Sequence, residues 1–287
     1  MSDVHTLLTG LVVGESPRWH AGRLWFSNWG AQEIIALDAT GKSEVVARVP
    51  STIPFSIDWL HDGRLLVVSG REGLLLRRDA DDGFVTHADL RPLSTQPWNE
   101  IVVDGRGTIY LNNICFDFGN EDFRPGIVAR VTPEGGVQQL AEGIAFPNGM
   151  VVTPDNSTLI VAESFAGQLT AFDIAADGSL SNRRVWAELF GPGGGDGICM
   201  DAEGAIWCTA SDHGKAVCAR VREGGEVLER FELERAGFAC MLGGDDGQTL
   251  FLLVAEFPGV DRMDTMFRSR TGQVLARRAP APHAGWP

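Results

Sequence analysis

A turn followed by an apolar run recurs six times along the chain, and this repetition restricts the fold more than any other feature. The copies are GRLWFSN from Gly22, GRLLVVSG from Gly63, GTIYLNN from Gly107, STLIVAES from Ser157, GAIWCTAS from Gly204 and QTLFLLVAE from Gln248. Successive starts are separated by 41, 44, 50, 47 and 44 residues. A period of about 40–50 residues is that of a four-stranded propeller blade. Five copies carry Asp, Asn or His just before the turn, in HDGR, VDGRG, TPDNS, DAEG and GGDDG. Such residues tolerate tight and left-handed backbone, which joins adjacent antiparallel strands.

Further short strands lie between the copies, among them EIIALD, GIVARV, QLTAFDI and AVCARV, followed by GGVQQLA or GEVLERFEL. Six units of four strands predict an all-β, six-bladed β-propeller with four antiparallel strands per blade, occupying residues 1–287 as one domain. The ring closes where one terminus completes a blade begun by the other, with His5–Leu11 and Gln273–Arg278 as the candidates. The 35 glycines then serve as turn punctuation. Long helical periodicity is absent, and no apolar run approaches the ~18 residues of a membrane helix. The segment MSDVHTLLTG lacks the basic and apolar regions of a signal peptide. The five cysteines form no CxxC pair and read as buried free thiols, so a reducing, cytoplasmic location is expected. A formal charge of −14 argues against nucleic-acid and anionic-membrane partners and leans toward cations. Nothing in the repeat sets an oligomeric state.

In a propeller the innermost strand of each blade lines the central channel, so residues seven to nine positions before each repeat turn converge. Those positions hold Glu15, Ser56, Asn99 with Glu100, Asn148, Asp196 and Cys240. Four of the six copies thus place a carboxylate or carboxamide at one height. Bringing Glu and Asp together costs repulsion unless a cation compensates. Oxygen donors without His or Cys favour Ca²⁺, Mg²⁺ or Mn²⁺ over a structural zinc site. The competing reading is a wet channel lined by solvated polar groups. Cys240 lacks any neighbour that lowers a thiol pKa and reads as packing.

The motifs GESPRW, WNEIVVDGRGTIY, PNGM and GDGICMDAEGAIW resemble the regucalcin/gluconolactonase family of six-bladed propeller lactonases, which includes senescence marker protein and luciferin-regenerating enzyme. The spacing agrees across nearly the whole chain. This resemblance implies one divalent cation (Ca, Mg, Mn or Zn) held by Glu15, Asn148 and Asp196. It also implies that Asn99 contacts substrate or a water beside the cation, and that Asp196 is both ligand and proton-handling group. The implied activity is metal-dependent hydrolysis of a small-molecule substrate, a lactone (cyclic ester). In it the cation polarises the carbonyl and activates water, and Asp196, or Glu15 in the reversed geometry, accepts the proton.

The chain departs from that family where substrate is read. Pro97-Trp98-Asn99-Glu100 stands where the family often has Arg-x-Asn-Asp, so an arginine suited to sugar hydroxyls is replaced by Pro97. Bulky residues surround the motifs, including Trp98 and the pair Phe116 and Phe118 in ICFDFGNEDFRPG, the segment best placed to cover the mouth. Asn99, Glu100, Trp98, Phe116 and Phe118 are therefore the candidate substrate contacts, for a substrate less polar than an aldonolactone. Other schemes lack support. GPGGGDG is not followed by the GK[ST] of a phosphate loop, no GxSxG elbow accompanies Ser16, and His213 reads as a solvated loop residue. Two alternatives remain: another metal-dependent reaction (aryl ester or phosphotriester hydrolysis, or addition–elimination), and a non-catalytic ligand-binding propeller.

Overall fold

In a computed structural model describing residues 4–132 and 135–284, the six repeats form six four-stranded antiparallel sheets arranged as a β-propeller. Residues 1–3, the start of the segment read above for a signal peptide, and residues 285–287 lie outside the described residues. The innermost strands are Val13–His20, Phe55–Trp59, Trp98–Val103, Pro147–Val152, Ile198–Met200 and Ala236–Gly243. They follow one another around the channel in chain order, and the sixth returns to the first. The repeated apolar runs are the second strands, and Leu65–Ser69 and Ile109–Asn113 are buried along their whole length. Such strands are covered on both faces by neighbouring blades, so they read as continuous apolar runs rather than alternating ones. The outer strands, such as Ser43–Arg48, are largely exposed.

Both candidate strands for ring closure lie in the sixth blade. Its order from the channel outward is Ala236–Gly243, Thr249–Ala255, Gly272–Arg278 and His5–Leu11. The N-terminal strand supplies the outermost position, pairing from His5 with Ala276 to Leu11 with Gly272. The turn residues act as expected of short polar side chains that cap their own turn. Asp62 Oδ1 accepts the Arg64 N–H at 3.1 Å, Asp155 Oδ1 that of Ser157 at 3.0 Å, and Asp246 Oδ1 that of Gln248 at 2.9 Å. Asp104 and Asp201 each accept two backbone N–H groups in the same way. Asn156, in the sequon-like Asn156-Ser157-Thr158, is one of these turn residues and accepts the Gly105 N–H at 2.6 Å. No helix among the described residues is long and apolar enough to cross a membrane.

Two glycines let the innermost strands close around the channel. A Cβ on Gly149 would lie 2.6 Å from Asp196 O and 2.7 Å from Ile198 N, and one on Gly197 would lie 2.5 Å from Ala239 Cβ. Gly149→Ala should therefore lower stability by about 1–3 kcal/mol through overpacking against backbone that cannot yield. Gly204→Ala makes a control, since its Cβ meets nothing within 4 Å and pays only for a left-handed φ of 76°, about 1 kcal/mol. Urea denaturation of the two variants should order them that way, and equal midpoints would contradict the tight approach.

Candidate functional site

The site is built on irregularities of the innermost strands. In blade one the ladder is regular to Glu15↔Ser27 and resumes at Arg18↔Trp25. In blade three it breaks between Trp98 and Ile101, and in blade four between Pro147 and Met150. Glu15, Asn99, Glu100 and Asn148 all sit at or inside these breaks. A bulge turns side chains away from the two-residue alternation, which is how they reach the channel rather than a blade face. Ser16 holds a left-handed φ of 50° at the first break, and its hydroxyl accepts the Ile57 N–H at 3.0 Å, tying blade one to blade two. Asp196 precedes its strand and is held by its own N–H donating to Thr209 O at 2.9 Å. Blade two has no such break, and Ser56 there stays in the ladder with a buried hydroxyl that meets no partner.

Glu15, Asn99, Asn148 and Asp196 all line one cavity of about 850 Å³ at the mouth of the channel. Glu15 and Asn99 are buried, at 7% and 8% exposure, whereas Asp196 keeps part of its surface open to the cavity. Asn99 Nδ2 donates to Asn148 Oδ1 and to Pro147 O, each at 3.3 Å. Asn112, which the repeat pattern did not single out, buttresses both neighbours: its Oδ1 accepts the Glu100 N–H at 3.1 Å, and its Nδ2 donates to Asn148 O at 2.7 Å. Ser164 does the same for the next loop, meeting Asn148 Nδ2 at 3.4 Å and donating to Gly195 O at 2.8 Å.

Glu100 lies behind this layer. It borders a void of about 10 Å³ shared with Glu15, Arg18, Asn148 and Cys240, and it is absent from the walls of the large cavity. Arg18 fills the space beside it. Its Nη2 donates to Glu100 Oε2 at 3.3 Å and to Ile101 O, while Nε stands 3.6 Å from Asp58 Oδ2. Asp58 accepts the Val103 N–H at 2.8 Å and the Trp59 N–H at 2.8 Å. One buried guanidinium thus links blades one, two and three beneath the cavity floor. The sequence contained a signal for it, since GESPRW puts an arginine three residues after a channel carboxylate. Its partners, Asp58 and Glu100, come from other repeats.

Four carboxylates around one guanidinium leave the centre short of positive charge. Burial raises the pKa of Glu15 well above the ordinary range, and the nearby Asp196 and Glu100 raise it further. Burial, followed by the charge of Glu100, raises Asp196 to about 8. Burial also raises Glu100 and Asp58, against the pull of Arg18. Two crowded carboxylates and an amide oxygen form a hard-donor set that suits a divalent cation. Among the described residues no three His, Cys, Asp or Glu side chains gather to hold a metal by themselves.

Other predicted contacts lie elsewhere. Trp98 is fully buried in the core between blades two and three, with its indole N–H directed to Ser94 O at 3.4 Å, and it does not line the cavity. Trp98 is still in the ladder, paired with Asn113, and keeps a blade-facing direction, whereas Asn99 lies inside the break that turns side chains to the channel. Phe116 is 2% exposed and also stands behind the wall, whereas Phe118 lines the cavity directly. The His213 side chain is 95% exposed at a turn. Cys240 packs with its sulfur 3.9 Å from that of Cys199 and donates to Trp207 O, and burial holds its thiol pKa far above the usual value. All five cysteines are free thiols.

Comparison with known proteins bears on this arrangement. Residues 13–256 match the SMP-30/Gluconolactonase/LRE-like region. The chain belongs to that family. Regucalcin of Xenopus laevis is 23% identical over 273 residues, covering 91% of this chain and 88% of that protein. Diisopropyl-fluorophosphatase of Loligo vulgaris is 27% identical over 192 residues, which span 60% of this chain and 61% of that one. Among solved structures, the regucalcin of Agrobacterium tumefaciens superposes with a TM-score of 0.77 at 22% identity, over 98% of this chain and 97% of that one. At that identity the likeness is one of fold.

The raised carboxylate pKa values give the cation-free family member a definite pH response. At pH between about 4 and 8 the native state keeps a proton on Asp196 that the unfolded chain has lost. The unfolded state then binds fewer protons, so stability falls as pH rises, by about 1.4 kcal/mol per unit for each retained proton. Chelator-treated protein should lose stability in urea from pH 5 to pH 8, and Asp196→Asn should flatten that loss. A parent protein whose stability rises over this interval would contradict the crowding.

Proposed function

We propose that the protein is a metal-dependent hydrolase that opens a lactone ring, with Glu15, Asn148 and Asp196 holding one divalent cation. The observation that carries this reading is the meeting of two crowded carboxylates and two carboxamides on the polar floor of an otherwise largely apolar cavity. Membership of a family named for a gluconolactonase supports it. The Agrobacterium regucalcin is a calcium-binding protein, which supports a cation at this place. When bound, the cation supplies a Lewis acid for the ester carbonyl and lowers the pKa of water.

The chain's own residues do the rest. Asp196, open to the cavity, accepts the proton of the attacking water and returns it to the departing ring oxygen, so water and lactone become a hydroxy acid. Asn99 holds Asn148 in place and presents its amide to the oxyanion as the carbonyl becomes tetrahedral. Arg18 keeps Glu100 and Asp58 apart from the floor by engaging both. The same floor serves hydrolysis of an aryl ester or phosphotriester, a reading favoured by the partial match to diisopropyl-fluorophosphatase. The free thiols support a reducing, cytoplasmic location.

The test is pH-stat hydrolysis of sugar, aliphatic and aromatic lactones, an aryl ester and a phosphotriester. Protein stripped with EDTA is reloaded with Ca²⁺, Mg²⁺, Mn²⁺ or Zn²⁺. Glu15→Ala and Asp196→Ala should abolish both turnover and cation binding, and Asn99→Ala should lower kcat about 10²–10³-fold. Full turnover by stripped protein or by Asp196→Ala would sink the reading. Ligand binding without turnover of any class would favour a binding propeller instead. Because Asp196 holds its proton up to about pH 8, cation affinity should climb with pH to that point, with proton release measurable by calorimetry in two buffers.

A further inference from the structure

The polar floor occupies a small part of the cavity, and the remainder points to the substrate. Two loops from blades on opposite sides of the ring cover the mouth. One joins the second and third strands of blade three, over residues 114–125, and the other joins the corresponding strands of blade six, over residues 256–271. They meet where a Cβ on Gly119 would lie 3.4 Å from Val260 Cγ1. The blade-six loop carries the short helix Met263–Met266, which has no counterpart in the other repeats among the described residues. It contributes Phe257, Met263, Met266 and Phe267 to the cavity, and Phe267 stands 6.3 Å from Trp29.

The other apolar wall is a phenylalanine cluster. Phe146 and Phe165 stack at 4.7 Å, Phe118 meets Phe146 edge-on at 5.1 Å, and Phe116 supports both from behind. Phe165 and Phe257 remain 38% and 47% exposed, so each wall presents aromatic surface that the protein itself does not cover. The rim also carries charge: Arg71 pairs with Asp117 at 3.0 Å and Lys215 with Glu232 at 2.7 Å, Arg235 donates to Thr271 O, and Glu234 and Glu256 add two carboxylates. A polyhydroxylated ligand set between the two apolar walls would lose water there, which costs free energy for every hydroxyl left unpaired. A volume of about 850 Å³ lies toward the upper end of the ~300–1,000 Å³ of sites that enclose drug-sized ligands.

We propose that the substrate is a hydrophobic lactone or ester whose carbonyl reaches the Glu15–Asn148–Asp196 floor and whose alkyl or aryl tail lies between the phenylalanine wall and the blade-six loop. This rests on the hydrolase reading above and adds the substrate class. Methionine on one wall and aromatic rings on the other suit a flexible tail, since thioether and ring surfaces adapt to varied apolar shapes.

Two measurements on the full-length, cation-loaded protein test it separately from the hydrolase reading. The first is kcat/KM for δ-lactones bearing tails from methyl to octyl, with glucono-δ-lactone as the polar comparison. It should rise about fourfold per added methylene until the tail fills the cavity, and the sugar lactone should be the poorest. The second is calorimetric affinity for cyclohexanones bearing the same tails, which offer the carbonyl but cannot be hydrolysed. It should show the same increments. Phe165→Ala should reduce the octyl-to-methyl ratio about tenfold in both series, and Phe257→Ala, on the other loop, provides a second exposed position. Affinity independent of tail length, or a preference for the sugar lactone, overturns the inference. Tail-dependent ketone binding without turnover of any lactone upholds the apolar subsite and overturns the hydrolase reading alone.

Discussion

Everything at the centre of this molecule depends on the hydrogen-bond ladder between His5–Leu11 and Gly272–Arg278. A six-bladed ring has no unpaired sheet to spare, and the blade at the junction is completed only when the two ends of the chain pair. Once that ladder forms, the six innermost strands are forced around one axis, and residues separated by forty to fifty positions become neighbours. Close approach at the axis is then a steric requirement, met by Gly149 and Gly197, where a Cβ would strike backbone or the side chain of the next blade.

Closure alone would bury blade faces and leave the channel lined by whatever the alternation dictates. The bulges alter that outcome. At the breaks in blades one, three and four the strand leaves its register for two residues, and those residues are Ser16-Pro17, Asn99-Glu100 and Asn148-Gly149. Polar groups are thereby aimed at a site where burial and mutual repulsion raise the proton affinity of Glu15 and Asp196. The protein offsets part of this with Arg18, which engages Glu100 and Asp58 on the side away from the cavity. The remaining demand for a counter-charge falls on the floor, at Glu15 and Asp196.

Much of the architecture was legible because a propeller is a periodic object. Turn residues and apolar second strands recur visibly, and Asp62, Asp104, Asp155, Asp201 and Asp246 all cap the same turn. Position relative to that turn was enough to group Glu15, Asn99, Asn148 and Asp196. The same rule failed for their neighbours. Trp98 precedes Asn99 in sequence yet points into the packing because it is still paired with Asn113 in the ladder, and Phe116, in the loop after Asn113, is covered by Phe118, Phe146 and Phe165. Arg18 was visible as a residue but not as a linker, since its two carboxylate partners belong to blades two and three. The loop of blade six escaped notice because it breaks the repeat rather than repeating it.

The sequence by itself determined the six-fold all-β plan and the height at which oxygen donors converge, because local turn chemistry and strand hydrophobicity repeat with a fixed period. Only the tertiary structure decided that the N-terminal strand takes the outer place in the last blade. It alone separated Glu100 from the cavity floor, and it alone brought the loop after Asn113 against the loop after Ala255. These are contacts between distant segments, set by ring closure and bulge geometry, and no local pattern encodes which segment will lie opposite which.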